Sequence, residues 1–488
     1  MEASTTLALD EIQGNLVGFF KPFQRFVFLR FRDRVSAQAF LRVINREIDT
    51  CKDVLEFREE FRRYRDRGQG TAPTSRWFNL VLSARGLDLL EAPERELMEQ
   101  AFREGMRPRA AVLGDIDESD PAHWISAFDA DVHAMAILGA DSAEDLERVH
   151  AALRRHLEAD AHPVDTIGQV DGVAREGDNH GHEHFGFLDG ISQPAVAGLT
   201  ENPLPGQRVV AAGEFILGAA PQEGEHPSPV TSAGYGATPP APAPQIPSWS
   251  ANGSFVVFRR LRQDVGGFNQ FIAEQSGADG LRPDLLEAKL VGRYKSGAPL
   301  ERTFDQGPEL DPQSQDPASS DPSIREPERI NNFVYEPDDA DGHLVPRAAH
   351  IRKTYPRNQN PPGEADAERR RILRRGITYG PDFQPAEGPY PNPSAPPPNA
   401  DRGLVFVCYQ ASIENQFEFI QRQWVNSDDF PQAGDGRDPI ISQDQANANF
   451  SIPPDRHLAL ARWVITTGGE YFFSPSVSAL RALSDAPS

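Results

Sequence analysis

"SFVVFRRLRQDVGGFNQFIAE", Ser254–Glu274, begins with aromatic and β-branched residues and continues with helical spacing. It has the layout of "RFVFLRFRDRVSAQAFLRVI", Arg25–Ile44, more than two hundred residues upstream. Each reads as a strand followed by an amphipathic helix, the first helix spanning Val35–Ile48. A second pair of strands matches as well: "RWFNLVLS", Arg76–Ser83, and "RGLVFVCYQ", Arg402–Gln410. The latter leads into a helical "SIENQFEFIQRQWV", Ser412–Val425. Between the two copies, "VHAMAILGA" (Val132–Ala140) predicts a further strand. The helix that follows, Ser142–Ala159, has Ser142 as its N-cap. This interleaving predicts a duplicated α+β unit.

Around these elements the chain is long and irregular. It has 488 residues, 43 of them proline and 39 glycine, and 39% are hydrophobic, enough for substantial cores. Three segments read as insertions: Ala219–Trp249, Thr303–Gly342 and Pro381–Asp401. Their proline content predicts surface loops. The first falls between the two copies. It divides the chain into an N-terminal domain (1–218), a Pro-rich linker (219–250) and a C-terminal domain (251–488).

Charge and cysteine content narrow the function. A formal net charge of -23 argues against nucleic acid and anionic membranes as partners. Two cysteines, Cys51 and Cys408, are too few for a disulfide framework or a cysteine-held cluster. The first twenty residues lack a basic stretch followed by an apolar one, and no run is long enough to span a bilayer. The expected location is the cytoplasm.

Candidate chemistry concentrates in a few places. "EHFGFLDGISQP", Glu183–Pro194, sets one carboxylate, Asp189, among aromatic and aliphatic residues, with Gly186 and Gly190 on either side. Just before it, His180, His182 and His184 alternate. On a strand they would share a face and hold zinc or iron; on a polar loop they would be solvated. His350 stands in "AAHIRKTYPR" with Arg347, Arg352, Lys353 and Arg357 around it. A lone histidine of this kind is either a satisfied structural group or the axial ligand of a cofactor whose carboxylates the cations hold. In "RRRILRRGITYG", Arg369–Gly380, Arg374 directly follows an apolar pair and is the arginine expected to be carried inward, with Asp189 as its counterpart.

"EIQGNLVGFFK", "FGFLDGISQP" with its GxxDG core, "HIRKTYPR", "LRRGITYG" and "GLVFVCYQ" followed by "IENQFEFIQRQW" occur in one order between Glu11 and Trp424. In that order they resemble the dye-decolorizing peroxidases. The resemblance implies two ferredoxin-like domains, each an antiparallel sheet with helices, and haem b in the second. It implies His350 as the iron ligand, Asp189 and Arg374 as the catalytic acid–base and arginine, and Gly186 and Gly190 as the motif glycines. Arg352 belongs to the cofactor's cationic surroundings. Leu404 and Phe406 match the apolar wall, and Glu414 the acidic partner of the imidazole, with Asp428 and Asp429 as alternatives. The implied reaction consumes hydrogen peroxide and oxidises dyes, phenols and other aromatic reductants in one-electron steps. Bulky reductants would hand electrons over through an aromatic residue, for which Trp424, Trp463, Tyr379 and Tyr409 are candidates. The competing readings are a related haem protein of the same superfold acting on chlorite, against which Asp189 argues, a haem-binding or haem-delivery protein without turnover, and a non-haem metal protein built on the histidine triplet.

Overall fold

A computed structural model describes residues 6–68, 70–158, 164–221, 246–276, 281–303, 330–384, 400–443 and 449–486. The first unit contains β1 (Phe23–Arg30), α1 (Arg34–Ile44), α2 (Cys51–Arg67), β2 (Arg76–Ser83), β3 (Ala134–Ala140), α3 (Ala143–Leu157) and β4 (Asp165–Val173). The second contains β5 (Ser254–Gln263), α4 (Val265–Gln275), α5 (His350–Thr354), β6 (Leu373–Arg374), β7 (Ile377–Tyr379), β8 (Gly403–Gln410) and β9 (Val464–Ser474). A helical stretch, Ile413–Phe417 and Ile420–Val425, follows β8.

Both units have the same strand order. The first runs β4-β1-β3-β2, and the second runs β9-β5-β8 with β6 and β7 along the outer side of β8. All the pairings are antiparallel. This is the ferredoxin-like arrangement, present twice. The units share one sheet, because β9 pairs with β2 through Phe472 opposite Ser83 and Phe473 opposite Leu82. At the far edges, the Thr378 hydroxyl of β7 donates to the Val173 carbonyl of β4 at 2.7 Å. The sheet therefore curls into a barrel-like wall whose ends meet.

Strands β1, β2, β3 and β5 read as nearly continuous apolar runs because both faces are covered, whereas β4 is partly exposed. Phe26, Phe28 and Phe258 are fully buried, and the Phe258 ring lies 5.4 Å from Phe26 and 5.2 Å from Phe28. Residues of the two units thus form one core. Truncating Phe258 to Ala would cost about 3–5 kcal/mol. Local signals fix the helix starts. Asp33 accepts from the Ser36 N–H before α1, Thr50 from Asp53 before α2, and Ser142 from Asp145 before α3.

The expected elements differ from the observed ones in three respects, the first being that strands β4 and β9, interrupted by polar residues and glycine, were not expected. Helix α2 is amphipathic but strongly charged, and its thin apolar stripe hid it. The central parts of the three Pro-rich insertions lie outside the described residues. The end of the second one, 330–342, is not a surface loop: Phe333 and Tyr335 are buried there. Among the described residues, no helix is long and apolar enough to cross a membrane.

Candidate active site

One cavity lies against the second unit, and both Asp189 and His350 line it. Each is brought there by a different local device.

The loop carrying Asp189 is built on Glu183, a half-buried carboxylate. Its oxygens accept from the backbone N–H of Phe185 at 2.9 Å and of Phe187 at 2.8 Å, and from the Gln263 amide. Burial pushes its pKa above the usual carboxylate value, and these donors oppose the rise. Gly186 and Gly190 both have positive φ, +98° and +77°, which explains glycine at each. The Asp189 N–H donates to the Gly181 carbonyl at 2.9 Å, fixing where the carboxylate points.

Asp189 Oδ1 accepts from the Gly190 N–H at 2.6 Å and from Arg374 Nη1 at 2.7 Å. Both bonds fall on one oxygen, which leaves Oδ2 to take a proton. The Asp189 side chain is 35% accessible, but that surface faces the cavity, and protein encloses the carboxylate. Burial disfavours its charge. The Arg374 guanidinium more than offsets that, with help from the Gly190 N–H, and holds the pKa below the ordinary carboxylate value. Gln193, four residues beyond Asp189, clamps the arginine's backbone: its amide oxygen accepts from the Arg374 N–H at 3.2 Å and its amide nitrogen donates to the Arg374 carbonyl at 3.3 Å.

His350 begins α5. Its Nδ1 lies 2.9 Å from Asp438 Oδ2. Asp438 is fully buried, and its Oδ1 accepts from the Ile440 and Ile441 N–H groups at 2.8 and 2.9 Å. A carboxylate only accepts, so the imidazole proton belongs on Nδ1, and Nε2 keeps its lone pair for a ligand. The sequence reading put Glu414 in this partner position. The structure puts Asp438 there, and Glu414 instead accepts from the Ala101 N–H at 2.7 Å. Asp428 pairs with Arg437 at 2.9 Å, and Asp429 accepts from the Gly434 N–H. Asp438 did carry a signal: an Asp before Pro and two apolar residues is a turn cap.

The cavity's cations also differ from expectation. Arg352 does not line it. It is spent internally on Asp339 at 3.0 Å, on the Val345 carbonyl at 2.7 Å and on the Tyr335 ring. Arg293 and Arg357 line the cavity instead. Both are buried, and they share the Asn331 amide oxygen at 3.3 and 2.6 Å. Neither has a carboxylate partner among the described residues. Burial, then the charge of Arg357, lowers the Arg293 pKa to about 9. Two adjacent buried cations without an anion call for an anionic occupant.

Leu404 and Phe406 line the cavity from β8, as alternation predicts. Gly186 does not line it; it shapes the loop. The three histidines do not converge. His184 is buried and bonds the Tyr379 carbonyl at 2.9 Å, with burial lowering its pKa to about 4, while His182 bonds the His180 carbonyl. No group of three metal-ligating side chains occurs among the described residues. Trp424, Trp463, Tyr379 and Tyr409 are all buried.

Residues 11–176 match the family model described as DyP dimeric alpha+beta barrel domain, and residues 237–433 match Dyp-type peroxidase, C-terminal. The chain is 33% identical to Peroxidase 2 of Mycetinis scorodonius, over 98% of this chain and 88% of that one. It is 32% identical to dye-decolorizing peroxidase AauDyP1 of Auricularia auricula-judae, over 98% and 87%. A solved structure of an ancestral D-type dye decolorizing peroxidase superposes with a TM-score of 0.79 at 33% identity, covering 99% of this chain and all of that one.

Proposed function

The chain belongs to the dye-decolorizing peroxidase family and is an enzyme of that kind, a peroxidase that oxidises dyes; from that premise we propose how its own residues do so. Peroxide enters the cavity beside Asp189. Oδ2 takes a proton from one peroxide oxygen and returns it to the other, which leaves as water. Arg374 keeps Asp189 ionised until then and stabilises charge on the departing oxygen. A hydrogen-bond donor aimed at developing charge of this kind contributes a rate factor of about 10²–10³.

The family's haem fits the residues lining this cavity. His350 Nε2 would bond the iron, Leu404 and Phe406 would flank the ring, and Arg293 and Arg357 would hold its carboxylates. When bound, haem b supplies the redox-active iron that takes oxidising equivalents from peroxide and passes them to reductants one electron at a time. Asp438 holds the His350 ring in one tautomer and makes it a more basic ligand.

The observation that carries this reading is that the Asp189–Arg374 pair and His350, held from behind by Asp438, line one cavity. A haem carrier needs the second pair and not the first, and nothing favours that reading. The test is the spectrum of the purified protein, followed by peroxide-driven bleaching of a dye. A Soret band without peroxide turnover would leave the carrier; no Soret band in haem-supplemented protein would remove both readings.

A further inference from the structure

Tyr355 is the residue just past α5, five positions after His350. It lines the cavity and is 9% exposed. Its hydroxyl donates to Glu368, a carboxylate that is itself 9% exposed. The Arg371 guanidinium lies 3.7 Å from the centre of its ring, and that of Arg357 lies 5.0 Å away.

This arrangement has a definite redox consequence. Two cations against the ring make a phenol radical cation unfavourable, so an electron cannot leave alone. The hydrogen bond to Glu368 gives the phenolic proton a destination at the same moment. Burial, opposed in part by Arg371, pushes the phenol pKa up to about 12, so the proton is in place whenever an oxidant arrives.

We propose that Tyr355 is an internal electron donor of this peroxidase and that Glu368 is its proton acceptor. The proposal rests on the haem reading above. One electron leaves the phenol for the oxidising equivalent that peroxide leaves in the cavity. The O–H bond breaks, the proton moves to the Glu368 carboxylate, and a neutral phenoxyl radical remains. A reductant then returns one electron, and the proton moves back from Glu368 to the phenoxyl oxygen. Tyr355 thereby keeps an oxidising equivalent in the cavity wall, separated from peroxide.

The test is freeze-quench electron paramagnetic resonance on the holoenzyme, mixed with hydrogen peroxide without reductant. Wild-type protein should give a tyrosyl signal that narrows when its tyrosines are ring-deuterated. Tyr355→Phe should lose that signal. Glu368→Gln, which keeps a hydrogen-bond acceptor but not a proton acceptor, should weaken it. The Glu368 variant also decides the matter if Tyr355→Phe fails to fold. An undiminished signal in either variant, or no tyrosyl signal in wild type that has reacted with peroxide, overturns the proposal. Failure of the haem reading is distinct, since wild type would then show no Soret band, and the proposal falls with it.

Discussion

Asp189 and Arg374 stand 185 positions apart in the chain and bond at 2.7 Å. Neither element alone makes the site. Asp189 rides on a loop held by Glu183, Arg374 lies on the two-residue strand β6, and Gln193 ties that strand to the loop. The pairing sets the charge state of the cavity.

The acid limit of peroxide reactivity follows from that charge state. The folded pKa of Asp189 lies below the ordinary carboxylate value, so it remains a base at lower pH than an ordinary carboxylate. Reactivity should persist below that ordinary value and fall only as pH drops through the folded value. The pair's contribution to stability has the same sign: present above the unfolded pKa and lost as pH falls through the folded one. Arg374→Leu removes the main lowering cause and leaves burial, which moves the acid limb to higher pH. Peroxide reaction rates measured against pH in both proteins check this, and an unmoved limb in the variant contradicts it.

Replacement of Asp438 should affect the bound cofactor, and replacement of Glu414 should not. Asp438→Asn removes the carboxylate on His350 Nδ1, while Glu414→Gln leaves His350 untouched. The first should shift the iron's reduction potential upward, since a less basic imidazole favours reduced iron. The second should not. Spectroelectrochemical titration separates the two.

His350→Ala should lose most bound haem, because the proposed protein–iron bond is gone. Haem content by pyridine haemochrome assay and the ferric spectrum read it directly. Full occupancy with an unchanged spectrum would show another ligand.

Glu183→Ala should destabilise the fold through its backbone donors. The Phe185 and Phe187 N–H groups and the Gln263 amide would lose their acceptor. Buried donors left unpaired cost about 1–3 kcal/mol each. Urea unfolding should show a loss of that order, larger than for Glu183→Gln. Equal midpoints for the two variants would contradict it.

Strands and motifs were the legible part of this protein. Ser254–Glu274 and Arg25–Ile44 announced the duplication because buried strands leave near-continuous apolar runs. Asp189 was conspicuous as a carboxylate among aromatics, and Arg374 through its place after an apolar pair. What stayed hidden were contacts set by long-range packing. The turn signal at Asp438 marks a cap and says nothing of a histidine 88 positions away as its partner. Arg352 and Arg357 lie on one short segment, and only the fold decides that one faces Asp339 and the other the cavity. Gln193, Glu183 and Glu368 act through backbone groups, one side-chain amide or a single hydroxyl and leave no pattern in composition or spacing.

The central claim is that Asp189 moves the peroxide proton. Stopped-flow mixing of haem-loaded Asp189→Asn with hydrogen peroxide, followed at the Soret band, tests it most directly. The substitution keeps the shape and hydrogen bonding of the side chain and removes the base. The resting Soret band should match that of wild type, and the peroxide reaction should slow by about 10²–10⁴-fold, the usual contribution of a positioned acid–base group. A variant that reacts at the wild-type rate would contradict the account and leave Asp189 as a structural partner of Arg374.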